Sequence, residues 1–317
     1  MSKEIIDIIN QNDKYKGILI GLAMGDSLGA PYEFKNNKPY TGSLKTILFS
    51  NGKFGNGAQF DCGQTTDDTE MCLCIISSLK LENDKIIYDK DLCLKNYVEW
   101  ANTKGNWGIG HNTRALFKGI KSIKSYDKRY EKMLTENPNN QSNGALMRCA
   151  ILALLRNKDY YIQDCILTNP HPNCISTNIA YLTLIENLID NTPIEIAIQN
   201  SIMSIDNKEV IQVIQDAINK KYRNVSENRG WCLHSLYLVY YCLLEFKDIK
   251  SMYKYVICEG GDTDTNAAIV GAAFGAYYGF KHIEEVENDN LKILLSCDTS
   301  TSTHKRDMKY IVKNYIL

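Results

Sequence analysis

Residues 17–34 read GILIGLAMGDSLGAPYEF, with glycine at 17, 21, 25 and 29. A spacing of four puts these glycines on one face of a helix. Each interior glycine costs a helix about 1 kcal/mol against alanine, so four together call for close backbone approach to another helix. The same period returns near the other end of the chain, at Gly271, Gly275 and Gly279. Packing alone explains the stripes. Their interest lies in what they position: Asp26 and Glu33 belong to the first, and Asp262 and Asp264 precede the second.

Outward from these segments the apolar spacing stays at three and four. Ile175, Ile179, Leu182, Ile185, Leu188 and Ile189 form one stripe over 172–191, and Trp231, Leu233, Leu236, Val239, Tyr240, Leu243 and Leu244 another over 229–246. Such stripes mark amphipathic or buried helices. Further helices are predicted near 13–29, 68–82, 90–103, 112–123, 144–156, 193–204, 207–220, 248–257, 264–279 and 305–315. No strict apolar alternation flanks a hairpin turn. The expected fold is all-α, a compact orthogonal multi-helix bundle. All 6 prolines fall where the pattern already breaks, and no linker divides the 317 residues, so one domain over 1–317 is expected. The irregular stretch 31–66 is the longest, a length that usually serves function or motion.

Composition narrows the function. With 36 basic and 37 acidic residues the net charge is −1, so charge does not indicate nucleic acid as a partner. The 11 cysteines include no C-x-x-C pair, and the first residues carry no apolar signal core. A cytoplasmic chain with reduced thiols is expected. The longest apolar run, 17–25, is far short of the roughly 20 residues that span a bilayer, so no membrane partner is expected. A monomer is expected.

Two clusters concentrate carboxylates: Thr-Thr-Asp-Asp-Thr at 65–69 and Gly-Gly-Asp-Thr-Asp-Thr at 260–265. Either one read alone suits helix capping, since Asp and Thr are good N-caps. Capping needs one such residue, however, and not two Asp with flanking Thr. If the clusters meet in space, their like charges need a counter-ion. Hard oxygen donors of this kind suit Mg²⁺, and four Asp with two Thr would suit a pair of ions.

At this point the chain resembles the ADP-ribosylglycohydrolase family, which includes dinitrogenase reductase-activating glycohydrolase and the ADP-ribosylarginine and ADP-ribosylserine hydrolases. The resemblance rests on GILIGLAMGDSLGAPYEF (17–34), GQTTDDTEM (63–71), SNGALMRCAILAL (142–154) and GGDTDTNAAIVGAAFGAYYG (260–279), with weaker GIGHNTRAL (108–116) and LTNPHP (167–172). It implies an all-α fold with a dinuclear metal cleft, two Mg²⁺ ions (Mn²⁺ as an alternative) and an ADP-ribosylated substrate. Thr66, Asp67 and Asp68 match the first ligand cluster, and Asp262, Asp264 and Thr265 the second. Glu33 matches a glutamate beside the metals and is expected to act in catalysis with Asp67 and Asp68. Ser142, Asn143, Gly144, Met147 and Arg148 match the loop that holds the distal ribose and phosphate, with Gly110, His111 and Thr113 also on the substrate side. Arg148 has a second reading, as the partner of a carboxylate.

The reaction so implied breaks a glycosidic bond through an oxocarbenium-like transition state, which needs a proton donor and an activated water. Two positions depart from the family pattern. Gly108 stands where some members carry an acid, and Thr168-Asn169 stands where Thr-His is frequent, with His171 two residues on. Trp107, His111 and Asn112 are further cleft candidates. Competing readings are an ADP-ribose-binding protein of weak activity and a serine esterase, because Gly25-Asp26-Ser27-Leu28-Gly29 fits G-x-S-x-G and spells GDSL. The esterase reading requires a strand before Ser27 and a helix after it.

Overall fold

The computed structural model describes residues 2–34, 52–53, 59–103, 109–120 and 122–297. In chain order the helices are α1 (Lys3–Gln11), α2 (Asp13–Gly29), α3 (Asp67–Ile76), α4 (Lys90–Asn102), α5 (His111–Phe117), α6 (Ile123–Glu136), α7 (Lys158–Cys165) and α8 (Pro172–Ile189). They continue with α9 (Ile194–Met203), α10 (Lys208–Ile218), α11 (Cys232–Glu245), α12 (Ile249–Glu259), α13 (Thr263–Tyr278), α14 (Phe280–Val286) and α15 (Asn288–Ser296). The strands among the described residues form two antiparallel pairs, β1 (Gly52–Lys53) with β2 (Gln59–Phe60) and β3 (Leu79–Glu82) with β4 (Lys85–Tyr88). The fold is all-α, as expected.

At its centre α2 packs antiparallel against α13, glycine stripe to glycine stripe. A Cβ added to Gly17, Gly21 or Gly25 would fall well inside 3.0 Å of the carbonyl oxygen of Gly275, Gly271 or Ala267 respectively. The relation is mutual, since a Cβ on Gly271 or Gly275 would strike the carbonyl of Gly21 or Gly17. Only hydrogen fits between these backbones, so each stripe exists to receive the other. Both helices are buried on nearly every side, as helices at the middle of a core must be. Neighbouring side chains complete the contact: Tyr253 Oη donates to Gly21 O at 2.7 Å from α12, and Tyr181 Oη to Ile269 O at 2.7 Å from α8.

Besides 112–123, which ends early at Phe117 with Lys118 in extended backbone, two predicted helices differ from the structure. The first, 68–82, stops at Ile76, where the Ser77 and Ser78 hydroxyls turn back onto the carbonyls of Leu73 and Ile75. The chain then forms the β3–β4 hairpin. Its turn is Asn83-Asp84, both at positive φ (49° and 60°), which these two residues tolerate better than most. The second, 144–156, is a run of turns followed by a 3₁₀ segment, Ala150–Leu155. The Gly144 carbonyl, an α-helical acceptor for residue 148, is taken by the Arg148 guanidinium at 2.9 Å. The helices α1, α6, α7, α14 and α15 were not anticipated. The predicted helix at 305–315, most of the 31–66 stretch, Trp107 and Gly108 lie outside the described residues.

The backbone contact sets an expected outcome. Gly21→Ala gains helix propensity, yet forcing a methyl against the Gly271 carbonyl should lower the unfolding free energy by about 1–3 kcal/mol or more. Urea denaturation measures this, and a variant as stable as the parent chain would disprove the close packing.

Candidate active site

The α2–α13 register brings the C-terminus of α2 onto the N-terminus of α13. Thr263 Oγ1 donates to Gly29 O at 2.8 Å, and Phe34 N to Gly261 O at 2.9 Å. Gly260 and Gly261 both hold positive φ, 76° and 77°, in the turn that enters α13. A Cβ on Gly261 would also meet Val225 O at 2.8 Å. Glu33 thereby comes beside Asp262 and Asp264, with one carboxylate oxygen from each lying within 4.8 Å of the others.

The second cluster is tied to the first by Asp26, one turn before the end of α2. Its buried carboxylate accepts from Thr66 N (2.9 Å), Thr66 Oγ1 (2.7 Å), Thr69 N (3.1 Å) and Thr69 Oγ1 (2.5 Å). Asp26 therefore caps α3 from outside that helix, while Thr66, the residue at the N-cap position, makes no side-chain capping bond. Asp262 holds the N-cap position of α13 and likewise makes no capping bond. Its Oδ2 instead accepts from Asn143 Nδ2 at 2.8 Å. Capping alone thus leaves the two clusters unexplained.

The result is six carboxylates in one place: Asp26, Glu33, Asp67, Asp68, Asp262 and Asp264. Five are buried and Glu33 is half-buried. No described lysine or arginine forms an ion pair with any of them. Burial, then Asp262, Asp67 and Asp26, raises Glu33 to about 8. Burial also raises Asp67 to about 7, against an opposing bond from the Gly110 N–H at 3.1 Å. Asp68 and Asp264 are pushed well above the usual carboxylate range, again by burial first and neighbouring acids second. Thr66 Oγ1 lies 2.7 Å from Asp26 and 3.1 Å from Asp68, with one proton for two acceptors. Asp68 Oδ1 is buried without any partner. Hard oxygen atoms crowded together, one of them orphaned, fit a divalent cation of the Mg²⁺ type.

Beside the cluster, Ser142 pairs with Trp231 in an antiparallel bridge, and Asn143 N donates to Gly230 O at 2.8 Å. Gln141, Ser142, Arg229, Gly230 and Trp231 line a cleft of about 330 Å³. Asn143 links this cleft to the acids through Asp262. Thr113 is buried with its hydroxyl near Gly144, His111 is exposed at the start of α5, and Met147 is buried. Arg148 stands behind the loop with no exposed surface. Its Nε reaches Asp164 Oδ2 at 3.1 Å, and its other donors go to Gly144 O, Asp164 O and Thr168 Oγ1. Of its two readings, pairing with a carboxylate is the one the geometry takes, and the expectation of direct substrate contact is corrected. His171 is spent as the N-cap of α8, accepting from Asn173 N, while Asn169 sits against Ser142. The esterase reading falls, because Ser27 lies inside α2, buried, with no strand before it.

From the sequence Asp26 is singled out only as a residue that the first glycine stripe positions, with no site role assigned. Sequence reasoning also missed Asp164, whose Oδ1 accepts from Tyr88 and Tyr97 at 3.1 and 2.7 Å, and the contribution of residues 229–231.

The chain and its fold are similar to known proteins. A family model described as ADP-ribosylglycohydrolase matches residues 8–299. A protein of Acanthamoeba polyphaga mimivirus named as an ADP-ribosyl glycohydrolase is 27% identical over 295 residues, covering 83% of this chain and 86% of its own. ADP-ribosylarginine hydrolase Tri1 of Serratia proteamaculans is 26% identical, covering 88% of this chain and 75% of its own. The ADP-ribosyl-dinitrogen reductase glycohydrolase of Rhodospirillum rubrum is 24% identical, covering 86% and 88%. A solved structure titled as an ADP-ribosylglycohydrolase-related protein complex shares the fold at TM-score 0.61 and 19% identity, over 90% of this chain and 98% of that one.

Two outcomes follow from the electrostatics. Asp67 and Glu33 keep their protons in the folded chain up to about pH 7 and 8. In the unfolded chain they release them near pH 4. The folded state then binds more protons, so stability in chelator should fall as pH rises from about 5 to 8. Saturating Mg²⁺ should flatten that slope in thermal melts, and a flat profile in chelator would refute the picture. Asp26→Ala should weaken divalent-ion binding by about 10–100-fold in calorimetry, because it releases the Thr66–Thr69 turn that aims Asp67 and Asp68.

Proposed function

The chain belongs to the ADP-ribosylglycohydrolase family, and on that premise we propose that it hydrolyses the glycosidic bond joining ADP-ribose to a modified acceptor, with two Mg²⁺ ions in the acidic cleft. The observation that carries this reading is the convergence of six carboxylates, with no ion pair to a described lysine or arginine, beside a cleft of about 330 Å³. Mn²⁺ is the alternative ion. Thr66, Asp67, Asp68, Asp262, Asp264 and Thr265 are the residues that would hold the pair.

When bound, the ions supply polarisation of a water and of the ribose hydroxyls. The remaining work belongs to the chain. Glu33 is the group suited to move a proton, since its environment sets its affinity near neutral pH and it is the one half-exposed acid of the six. It passes that proton between the water and the leaving acceptor atom. Asn143 steadies Asp262, and the Gly110 N–H steadies Asp67. Ser142, Asn143, Gly144 and Gly110 border the space for the distal ribose and phosphates, with His111 and Thr113 at the edge. We read the protein as a cytoplasmic monomer of one domain, the compartment resting on a cysteine pattern without a C-x-x-C pair. No described helix is long and apolar enough to cross a membrane.

The test is release of ADP-ribose from arginine-, serine- and nucleic-acid-linked substrates, with Mg²⁺ and with chelator. Release from at least one linkage, lost in chelator, is expected. Asp262→Asn should abolish turnover and weaken Mg²⁺ binding while circular dichroism stays helical. Normal turnover by Asp262→Asn would sink the metal assignment.

A further inference from the structure

A directed series of hydrogen bonds ends on the Ser142 hydroxyl. It begins at Arg148, which is fully buried and can only donate. Arg148 Nη1 donates to Thr168 Oγ1 at 2.9 Å. The Thr168 hydroxyl, having accepted there, donates to Asn169 Oδ1 at 2.7 Å. That fixes the Asn169 amide, with its oxygen toward Thr168 and its nitrogen toward Ser142. Asn169 Nδ2 then donates to Ser142 Oγ at 2.9 Å and to Ser142 O at 3.1 Å. Thr168 and Asn169 are only 3% and 2% exposed, so bulk water offers neither an alternative partner.

A second line reaches the same oxygen. Ser142 N donates to Asn140 Oδ1 at 3.1 Å, which fixes the Asn140 amide. Asn112 Nδ2 donates to that Asn140 oxygen at 3.1 Å and also lies 3.4 Å from Ser142 Oγ. Both lines therefore present N–H groups to Ser142 Oγ. Neither can take its proton.

We infer that Ser142 is a committed donor whose O–H serves the cleft beside Gly230 and Trp231, and that Arg148, Thr168 and Asn169 are positioning residues that impose this polarity. The ligand atom it suits is one that can only accept. On the function proposed above, that atom is a phosphate oxygen of ADP-ribose. A ribose hydroxyl both donates and accepts, so it would gain no discrimination from a fixed donor. A phosphate entering beside six carboxylates needs such a donor to offset repulsion. Asn169 thus has a task of its own where related chains often carry histidine.

A double-mutant cycle tests the polarity, read as the Kd of ADP-ribose by calorimetry. Aspartate at 169 accepts from both Thr168 and Ser142 and draws the Ser142 proton away from the cleft. Asn169→Asp should therefore weaken binding by about tenfold in the Ser142 protein, the size of a lost charge-assisted bond. In the Ser142→Ala background the bond from Asn169 to the carbonyl of residue 142 is lost in the same way, so the cost should be smaller, about threefold, and the difference between the two backgrounds reports the hydroxyl. In turnover assays Ser142→Ala should raise KM and leave kcat nearly unchanged. Equal cost of Asn169→Asp in both backgrounds would overturn the inference. If Asn169→Asp does not fold, Thr168→Val replaces it, since it frees the Asn169 amide to turn its oxygen toward Ser142. The same contrast is expected, and additivity again overturns it. A parent chain that fails to bind ADP-ribose would bring down the functional reading and this inference with it. Binding by the parent chain with an additive cycle would bring down only the inference.

Discussion

Everything at the site depends on two helix backbones lying in direct contact. The α2 and α13 glycines remove the side chains that normally keep helices 8–10 Å apart. In exchange the helices are locked in one register, because each carbonyl fills the place of a missing Cβ on its partner. That register joins the two ends of the chain and sets Glu33 against Asp262 and Asp264. A slip of one helical turn, about 5.4 Å, would separate them by more than a metal site tolerates.

The arrangement so enforced is unfavourable electrostatically. Buried acids with no ion pair to a described lysine or arginine raise one another's proton affinity, and the fold offers Thr hydroxyls, the Gly110 N–H and the Asn143 amide as partial relief. Asp26 shows how the structure leaves part of the acid cluster available. It takes over the capping of α3 from a neighbouring helix, and Asp68 Oδ1 is left without a partner. The cost of concentrated charge is acceptable in a protein whose core, built on long buried helices, supplies stability elsewhere.

Arg148 plays the corresponding part for the substrate loop. Its ion pair with Asp164 is fully buried, and Asp164 is further satisfied by two tyrosine hydroxyls from β4 and α4. A buried pair of this kind adds little net stability, but it is costly to break and it fixes geometry. The geometry it fixes is that of Gly144, Thr168 and, through them, the wall of the cleft.

Much of this was legible in the amino-acid sequence, because some constraints are local. Glycine every four residues, the apolar stripes of α8 and α11 and the paired Asp-Thr clusters each follow from periods and residue chemistry that a single segment carries. The all-α class and the acids of the site followed from them. Other features depend on partners distant in the chain. The hairpin at Asn83-Asp84 lacks clean alternation, and the 142–149 loop departs from helix because a side chain captures its carbonyl. Whether Arg148 faced substrate or Asp164 turned on where α7 lies, and the role of Asp26 on the position of α3. The sequence by itself determined the all-α class, the strongly periodic helices such as α2, α8, α11 and α13, the glycine faces and the acid inventory, since these are properties of short segments; five other helices, α1, α6, α7, α14 and α15, were not readable from it. Only the tertiary structure decided which glycine face meets which, that Asp26 caps α3, and that Asn169 and Asn112 lie against Ser142, because each is set by a hydrogen bond or contact between residues far apart in the chain.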